Sequence, residues 1–159
     1  MQDISDYKKI REDACVFYQT IGSIRCPALH HQPVHFTSEG FNHLVYKGNR
    51  NERDKSVQIM KFELLSKAKE IITLTTTHQE YDERLITVSR ERFKKNLDES
   101  TSARYWGFVA IIKNFRVKVI VRALGNGQYH FWSVIPAWTT SHYRDIKLIS
   151  NAKGDLVED

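Results

Sequence analysis

The C-terminal half of the sequence constrains the fold more than any other part, because it changes to alternating apolar and polar residues. Residues 105–113 and 115–124 are rich in β-branched and aromatic side chains, and Asn114 separates them as a turn residue. Gly125–Gly127 is a strong hairpin signal before a third such run, residues 128–135, which Pro136 ends. The pattern predicts a three-stranded antiparallel meander over residues 105–136. Residues 34–36 or 85–88 are candidates for a fourth strand.

The N-terminal half instead predicts helices. Apolar residues recur at helical spacing over residues 4–20, 38–47 and 56–72. Gly22 is expected to end the first helix, and Thr37 or Ser38 to cap the second, with Glu39 in its first turn. Residues 89–97 are interpreted as a further helix or a basic loop.

This order of elements predicts an α+β fold, with N-terminal helices packed on one side of a C-terminal antiparallel meander of three or four strands. A chain of 159 residues fits one domain. We divide it into an N-terminal helix (1–25), a core (34–140) and an acidic tail (151–159).

Composition narrows the class of protein. Lys and Arg number 24 against 19 Asp and Glu, a net charge of +5, which suits a polyanionic partner such as nucleic acid. No run approaches the roughly 20 apolar residues of a membrane helix. The first residues lack the apolar stretch of a secretory signal, and Cys15 and Cys26 are too few for a disulfide framework, so we expect a cytoplasmic protein with reduced thiols and no membrane partner. No nucleotide-binding glycine motif occurs, and no cofactor is predicted.

The second strand of the meander places its cations on one face. Alternation directs residues 115, 117, 119, 121 and 123 toward the helices, and Arg116, Lys118 and Arg122 toward the solvent-facing side. This face suits RNA, because arginine holds phosphates bidentately. An ordinary one-sided sheet shows the same alternation.

The neighbouring strand depends on the hairpin loop. A three-residue loop over Gly125–Gly127 sets Arg122 opposite His130 and Ile120 opposite Trp132, and leaves Tyr129, Phe131 and Ile135 on the apolar face. A two-residue loop shifts the register by one and sets Arg122 beside Phe131 and Ser133. We favour the first register, which adds Trp132 to the cationic face as a platform for a base.

Three segments together resemble a known class of nuclease. They are a capped helix entered by HFTSEGFNHL, a second helix carrying LLSKAKEII, and the closing run VKVIVRALGNGQYHFWSVIP. Over roughly residues 34–140, the chain is similar to phage- and toxin-associated nucleases of the barnase–EndoU–colicin–RelE superfamily. The closing run is the best part of the match: a basic strand, a glycine turn, and a strand ending in Ser133-Val-Ile-Pro136.

The resemblance implies metal-independent cleavage of RNA, usually by a toxin or mobile-element nuclease, and a toxin implies an antitoxin protein as partner. The superfamily draws varied catalytic residues from the early helix and the central strands, with no fixed triad. The chain does not reproduce any one member's full set. The positions that match lie at the helix, His35, His43 and Lys47, and on the sheet, Arg116, Arg122, His130 and Ser133. Of these, the resemblance implies catalytic roles for His43, His130, Arg122 and Ser133. We expect the other three to bind RNA, together with Lys118 and Trp132 of the cationic face.

These residue types suit the chemistry. Attack of a ribose 2′-OH on the adjacent phosphate needs a base, an acid for the leaving 5′-oxygen, and cations for the charge that develops. Histidine titrates near neutrality and serves either proton role. His43 and Lys47, four residues apart, are expected to share a helix face. Ser133 is a candidate hydrogen-bond donor to a phosphate oxygen.

Two other interpretations remain open. The ligand types Cys26, His30, His31 and His35 allow a zinc site, but structural zinc sites usually take ligand pairs from separate elements, and here all four fall within ten residues around two prolines. The second is a non-catalytic nucleic-acid-binding module or a mobile-element accessory protein. In an enzyme, His43 or His35 should lie within reach of the face formed by Arg116, Arg122 and His130. In a binding module, the histidines should be scattered.

Overall fold

The fold pairs four α-helices with a six-stranded mixed sheet among the residues that the structure describes. A computed structural model describes residues 6–48, 50–92, 95–112, 115–136 and 156, and for residues 88–92, 95–99 and 115 it describes the backbone alone. No helix within these ranges has both the length and the apolar character that crossing a membrane requires. The α+β prediction is confirmed at this level, while the sheet is larger than the predicted meander.

The helices lie close to the predicted segments. Helix α1 spans Tyr7–Ile21 and ends at Gly22, whose φ of 66° lies in the left-handed region that glycine adopts without strain. Helix α2 spans Ser38–Val45. The predicted helix over 56–72 is two helices, α3 (Lys55–Glu63) and α4 (Leu65–Leu74), because the chain turns at Leu64, where its N–H donates to the Lys61 carbonyl.

The sheet has the order β1-β2-β6-β5-β4-β3. A short hairpin, β1 (Ser23–Cys26) and β2 (Gln32–His35), joins the meander through a parallel pairing of β2 with β6 (Tyr129–Pro136). Strands β5 (Phe115–Leu124) and β4 (Lys95–Ile112) follow antiparallel, so the meander over 105–136 is confirmed within the described residues. The Asn114 turn lies outside them, as do residues 4 and 5 of the predicted first helix.

The outermost strand corrects the sequence interpretation. Strand β3 (Glu80–Arg92) pairs with β4 along its whole length, so residues 89–92 and 95–97, the described part of this segment, form neither a helix nor a loop but two paired antiparallel strands. Both candidates for a fourth strand belong to the sheet, residues 34–35 in β2 and 85–88 in β3.

The core lies between the helices and one face of the sheet. The residues directed to the helices include Val117, Val119, Val121 and Ala123, all fully buried, as predicted for this face of β5. The side chain of Phe115 lies outside the description. On the opposite face, Ala103, Tyr105 and Ile120 pack with Leu156. The outer face of the sheet is therefore partly covered, which the sequence did not predict.

Helix α2 lies beside β6, where the sheet is incomplete. Strand β2 pairs with β6 only at Val34↔Tyr129 and His35↔His130. The chain then enters α2, whose Gly40 approaches so closely that a Cβ there would lie 2.3 Å from the carbonyl oxygen of Phe131. Tyr18 of α1 donates a hydrogen bond to the Thr37 carbonyl (2.6 Å) and fixes the start of α2.

Candidate functional site

Strands β5 and β6 bring Arg122 and His130 together. The two residues are register partners, as the three-residue loop predicts. Beyond them the register shifts, because Val121 pairs with Phe131 and Ile120 with Ser133, which leaves Trp132 as an extra residue in β6. Bulges of this kind redirect a side chain. The predicted partnership of Ile120 with Trp132 is therefore wrong, and Ile135 pairs with Lys118 on the outer face instead of joining the apolar face.

Arg122 links a carboxylate and an imidazole. Its Nη2 donates to Oε2 of Glu39 at 2.7 Å, and its Nε donates to Nε2 of His130 at 2.9 Å. Glu39 lies in the first turn of α2 and keeps 64% of its side chain exposed, whereas the Arg122 side chain is 9% exposed. The carboxylate therefore marks the solvent end of this chain of polar contacts, and the guanidinium its buried centre.

His35 adds a second imidazole beside His130. The two residues are register partners across the parallel β2–β6 pairing, so they occupy adjacent positions on one face of the sheet. Nε2 of His35 is buried and has no hydrogen-bond partner among the described residues. Buried polar atoms in native proteins are nearly always satisfied, so an unsatisfied nitrogen next to a polar cluster is a functional signal.

Trp132 forms the inner wall of the cluster. The guanidinium carbon of Arg122 lies 3.7 Å from the centroid of its ring, and the His43 imidazole stacks on it at 4.1 Å with an interplanar angle of 18°. His43 is itself held by Arg53, whose Nη2 lies 3.2 Å from its Nε2 and whose Nε donates to its carbonyl oxygen at 3.0 Å. The side chains of Arg122 and His43 therefore pack on the Trp132 ring, whereas we expected a base of the RNA to stack on it.

Burial and neighbouring cations keep both imidazoles neutral. Burial, followed by the Arg122 charge, lowers the pKa of His130 to about 4, although Glu39 and a backbone hydrogen bond to Gln128 act in the opposite direction. Burial, with the charges of Arg53, Lys61 and Arg122, lowers the pKa of His43 to about 3. His43 is 6% exposed, so the structure places it as a support for Trp132 rather than at a surface that substrate reaches.

An open cleft of about 400 Å³ adjoins the cluster at His130 and Glu39. One wall is the start of α2, and the other is the hairpin between β5 and β6. The lining residues are Thr37, Ser38, Glu39, Leu124, Gly127, Gln128 and His130. The Thr37 side chain makes no capping hydrogen bond, so it does not block the first N–H groups of α2. Backbone N–H groups at a helix start favour an anion.

Four residues predicted for the site lie elsewhere or are enclosed. Arg116 pairs with Ile111, about 20 Å along β5 from Arg122 at roughly 3.3 Å per residue. Lys118 is buried and forms an ion pair with Glu80 (3.2 Å). Ser133 is fully buried, and its Oγ accepts from Nζ of Lys61 at 3.0 Å, which removes it from any phosphate in the cleft.

Lys47 does not share a helix face with His43, because α2 ends at Val45. Lys47 is exposed beyond the opposite end of α2 from Glu39. The prediction that the cationic face of β5 is open to solvent is also wrong for two of its residues. Lys118 and Arg122 are 4% and 7% exposed, because acidic partners and the residues packed on the outer face enclose them.

The candidate zinc ligands do not converge. Cys26 is fully buried in β1, and burial raises the pKa of its thiol, whereas His30 and His31 are exposed in a left-handed turn. Among the described residues, no three His, Cys, Asp or Glu side chains are placed to hold a metal ion.

Sequence reasoning missed two members of the cluster, Glu39 and Arg53. Glu39 has a visible signal, an acid in the first turn of a capped helix, which we interpreted only as favourable to the helix dipole. Arg53 follows a charged loop and enters the cluster through its 7% exposed side chain. No local pattern distinguishes it from the neighbouring loop charges.

The structure thus brings His43, His130 and Arg122 together around Trp132, with His35 beside His130, whereas Arg116 lies apart from them. Comparison of the chain with protein-family models, with curated proteins and with solved structures finds no match. The assignment of function therefore depends on the geometry of this site.

Proposed function

We propose that this protein is a metal-independent endoribonuclease whose reaction centre is the cleft at Glu39 and His130. The observation that supports it most is the chain of contacts Glu39–Arg122–His130 at the edge of an open cleft. This arrangement supplies a carboxylate and an imidazole held on either side of one cation.

In the proposed reaction, the Glu39 carboxylate accepts the proton of the ribose 2′-OH. The 2′-oxygen forms a bond to phosphorus, the bond from phosphorus to the 5′-oxygen breaks, and protonated His130 donates its proton to that leaving oxygen. The products are a 2′,3′-cyclic phosphate and a 5′-hydroxyl. The start of α2, at Ser38 and Glu39, provides backbone N–H groups for the charge that develops on phosphate.

Arg122 acts in this proposal mainly as a positioning residue. Its guanidinium is nearly enclosed, so it holds the carboxylate and imidazole apart and contributes its charge to the cleft from behind. A charge in a site of low dielectric acts more strongly than the same charge in water. His35 lies one strand away, and its unsatisfied Nε2 is a second candidate for a contact with substrate.

The lowered pKa of His130 gives the proposal a pH signature. The proton donor must be protonated, and in the free protein burial, followed by Arg122 and His35, disfavours that form, while Glu39 and the backbone hydrogen bond to Gln128 favour it. We expect kcat/KM to rise as the pH falls from about 7 toward 5. A phosphate anion in the cleft favours protonated His130, so the pKa seen in kcat should be higher than the pKa seen in kcat/KM.

The test is cleavage of a dinucleotide and of a longer RNA in EDTA, with analysis of the ends. We expect 2′,3′-cyclic phosphate, and no cleavage when the attacking 2′-OH is replaced by hydrogen. His130→Gln and Glu39→Gln should each lower the rate by about 10²-fold or more. His78→Gln and Glu63→Gln are matched controls at exposed positions outside the site. Cleavage lost in EDTA and restored by a divalent metal, or site variants as active as wild type, would contradict the proposal.

The hydrogen bonds that Arg122 already makes within the protein favour a second candidate function, that of a non-catalytic RNA-binding module. Glu39 and His130 already engage its guanidinium, an arrangement that also serves structure alone. This candidate gives no cleavage at any pH, and Glu39→Gln tightens RNA binding because it removes a negative charge from the cleft. That the protein is a toxin, and that it has an antitoxin protein as partner, remain predictions from the resemblance.

A further inference from the structure

The hairpin of β3 and β4 extends past the rest of the sheet. Strand β5 pairs with β4 only as far as Ala103↔Leu124, whereas β3 and β4 continue to pair from Leu85↔Ser102 to Arg92↔Lys95. We call residues 85–92 and 95–102 the β3–β4 arm. At about 3.3 Å per residue it is roughly 23 Å long, and no third strand pairs with it among the described residues. Leu85, at its root, is 79% exposed.

The arm begins beside the candidate reaction centre. The N–H of Gly125 donates to the carbonyl of Ser102 at 2.7 Å, and Nη2 of Arg104 donates to the carbonyl of Gly125 at 3.0 Å. Gly125 belongs to the same β5–β6 hairpin whose Gly127 and Gln128 line the cleft. Hydrogen bonds therefore connect the root of the arm to the wall of the cleft.

Charge is unevenly distributed along the arm. Its distal end carries Arg90, Arg92 and Lys95 with Glu91, whereas Asp98 and Glu99 lie nearer the root. The Debye length is about 8 Å at physiological ionic strength, so distal cations act independently of charges in the cleft. A two-stranded ribbon without a third strand is marginally stable alone, so a partner that contacts it adds to its order.

We propose that the β3–β4 arm binds a double-helical segment of the RNA at a distance from the bond that is cut. The proposal rests on the proposed function for the choice of RNA. A two-stranded ribbon is narrow enough to lie in a nucleic-acid groove, and in A-form RNA the wide, shallow minor groove and its phosphates are accessible. Binding of single strands relies instead on several aromatic platforms in succession, and the sequence from 85 to 102 contains one aromatic residue, Phe93.

The test compares an RNA stem–loop, made resistant to cleavage by 2′-O-methylation of its unpaired nucleotides alone so that the minor groove of the stem keeps its 2′-hydroxyls, with a 2′-O-methylated single strand of the same length. The triple variant Arg90→Gln, Arg92→Gln, Lys95→Gln should weaken stem–loop binding by about 30-fold and reduce the salt slope by about 2 to 3. Single-strand binding should change by less than about threefold. The matched control Lys8→Gln, Lys9→Gln, Lys69→Gln removes the same charge from exposed helix positions and should leave stem–loop binding unchanged.

Equal losses in the triple variant and the control, or equal losses on stem–loop and single strand, would overturn the proposal. If the triple variant does not fold, hydrogen exchange of the wild-type amides in 89–92 and 95–97 decides instead: slowing by the stem–loop supports the proposal, and no change overturns it. An arm that serves only to pair two copies of this chain would make wild type dimeric and RNA binding insensitive to the variant. Dinucleotide cleavage tests the proposed function separately, because a dinucleotide is too short to bridge the cleft and the arm.

Discussion

The α2–β5–β6 site and the β3–β4 arm are built in opposite ways. The site joins residues far apart in sequence, such as Glu39 and Arg122, 83 positions apart, and encloses them. The arm joins residues close in sequence and leaves Leu85 mostly exposed. In the site, every polar group depends on its neighbours, because a buried group that loses its partner is costly. In the arm, solvent replaces a lost contact.

Because of this difference, we expect the site to determine stability as well as function, and the arm to affect RNA binding alone. Substitutions in the site are expected to change the free energy of unfolding together with function, since the same contacts do both. Substitutions in the arm are expected to change binding alone. The predictions below test that separation, beginning with the largest effect on stability.

Arg122→Ala should lower the free energy of unfolding by about 3 kcal/mol, because it leaves His130 without its donor and opens space beside Trp132. Arg84→Ala is the matched control. Arg84 also bonds a carboxylate, Asp82 at 2.8 Å, but both side chains are more than one third exposed, so the loss should be about 0.5 kcal/mol or less. Denaturant unfolding measures both. If both variants lost a similar free energy of unfolding, burial would not explain how much Arg122 contributes to stability.

Gly40→Ala should lower the free energy of unfolding by about 2 kcal/mol. Alanine favours a helix, but its Cβ would lie 2.3 Å from the Phe131 carbonyl oxygen and 2.5 Å from the Tyr18 hydroxyl, so α2 must move away from β6. The movement separates Glu39 from Arg122 and should also lower cleavage. Asn42→Ala, at an exposed position of the same helix, should do neither. A Gly40→Ala variant as stable as wild type would contradict this close approach.

The contrast between the two regions also explains what the sequence could predict. Alternation identified the meander and the helix-facing side of β5, and the Gly125–Gly127 turn identified the Arg122–His130 pair, because these are local or nearest-strand relations. The break at Leu64 was missed because neither glycine nor proline marks it. The β3–β4 hairpin was missed because no such turn residue interrupts residues 89–97.

The composition of the site was only half predictable. His35, His130 and Arg122 were identified from residue type and position, but their burial depends on α2 lying against β6, which periodicity does not specify. The bulge at Trp132 reversed the faces of the residues beyond it, so Ile135 was misplaced. A pairing shift of one residue is sufficient for this, because side chains alternate with a period of two.

His43 should make stability depend on pH. Its pKa in the folded protein, about 3, lies below its ordinary value near 6.5, so the unfolded chain binds a proton first as the pH falls. The stabilisation is complete above about pH 6.5 and is lost as the pH falls toward 3. Between pH 7 and 5 this residue should account for a loss of about 1–2 kcal/mol.

The measurement is denaturant unfolding of wild type and His43→Gln at both pH values. Glutamine retains an acceptor for Arg53 but does not titrate, so the variant should lose less stability on acidification than wild type. His130, with a pKa of about 4, acts in the same direction and remains in both proteins. The His78→Gln variant, at an exposed position outside the site, is measured alongside as the control. An unchanged pH dependence in His43→Gln would show that the imidazole is not held neutral by burial.

Shortening the arm should have the smallest effect on stability. Replacement of residues 88–99 by Asn-Gly joins Thr87 and Ser100, which are register partners, through a two-residue hairpin turn that suits antiparallel strands. Because no third strand pairs with this segment among the described residues, the free energy of unfolding should change by no more than about 0.5 kcal/mol. Dinucleotide cleavage should stay within about twofold of wild type, since the cleft lies on the other side of the Gly125 hydrogen bond to Ser102. A shortened protein that loses stability as Arg122→Ala does would show that the arm and the site form one cooperative unit.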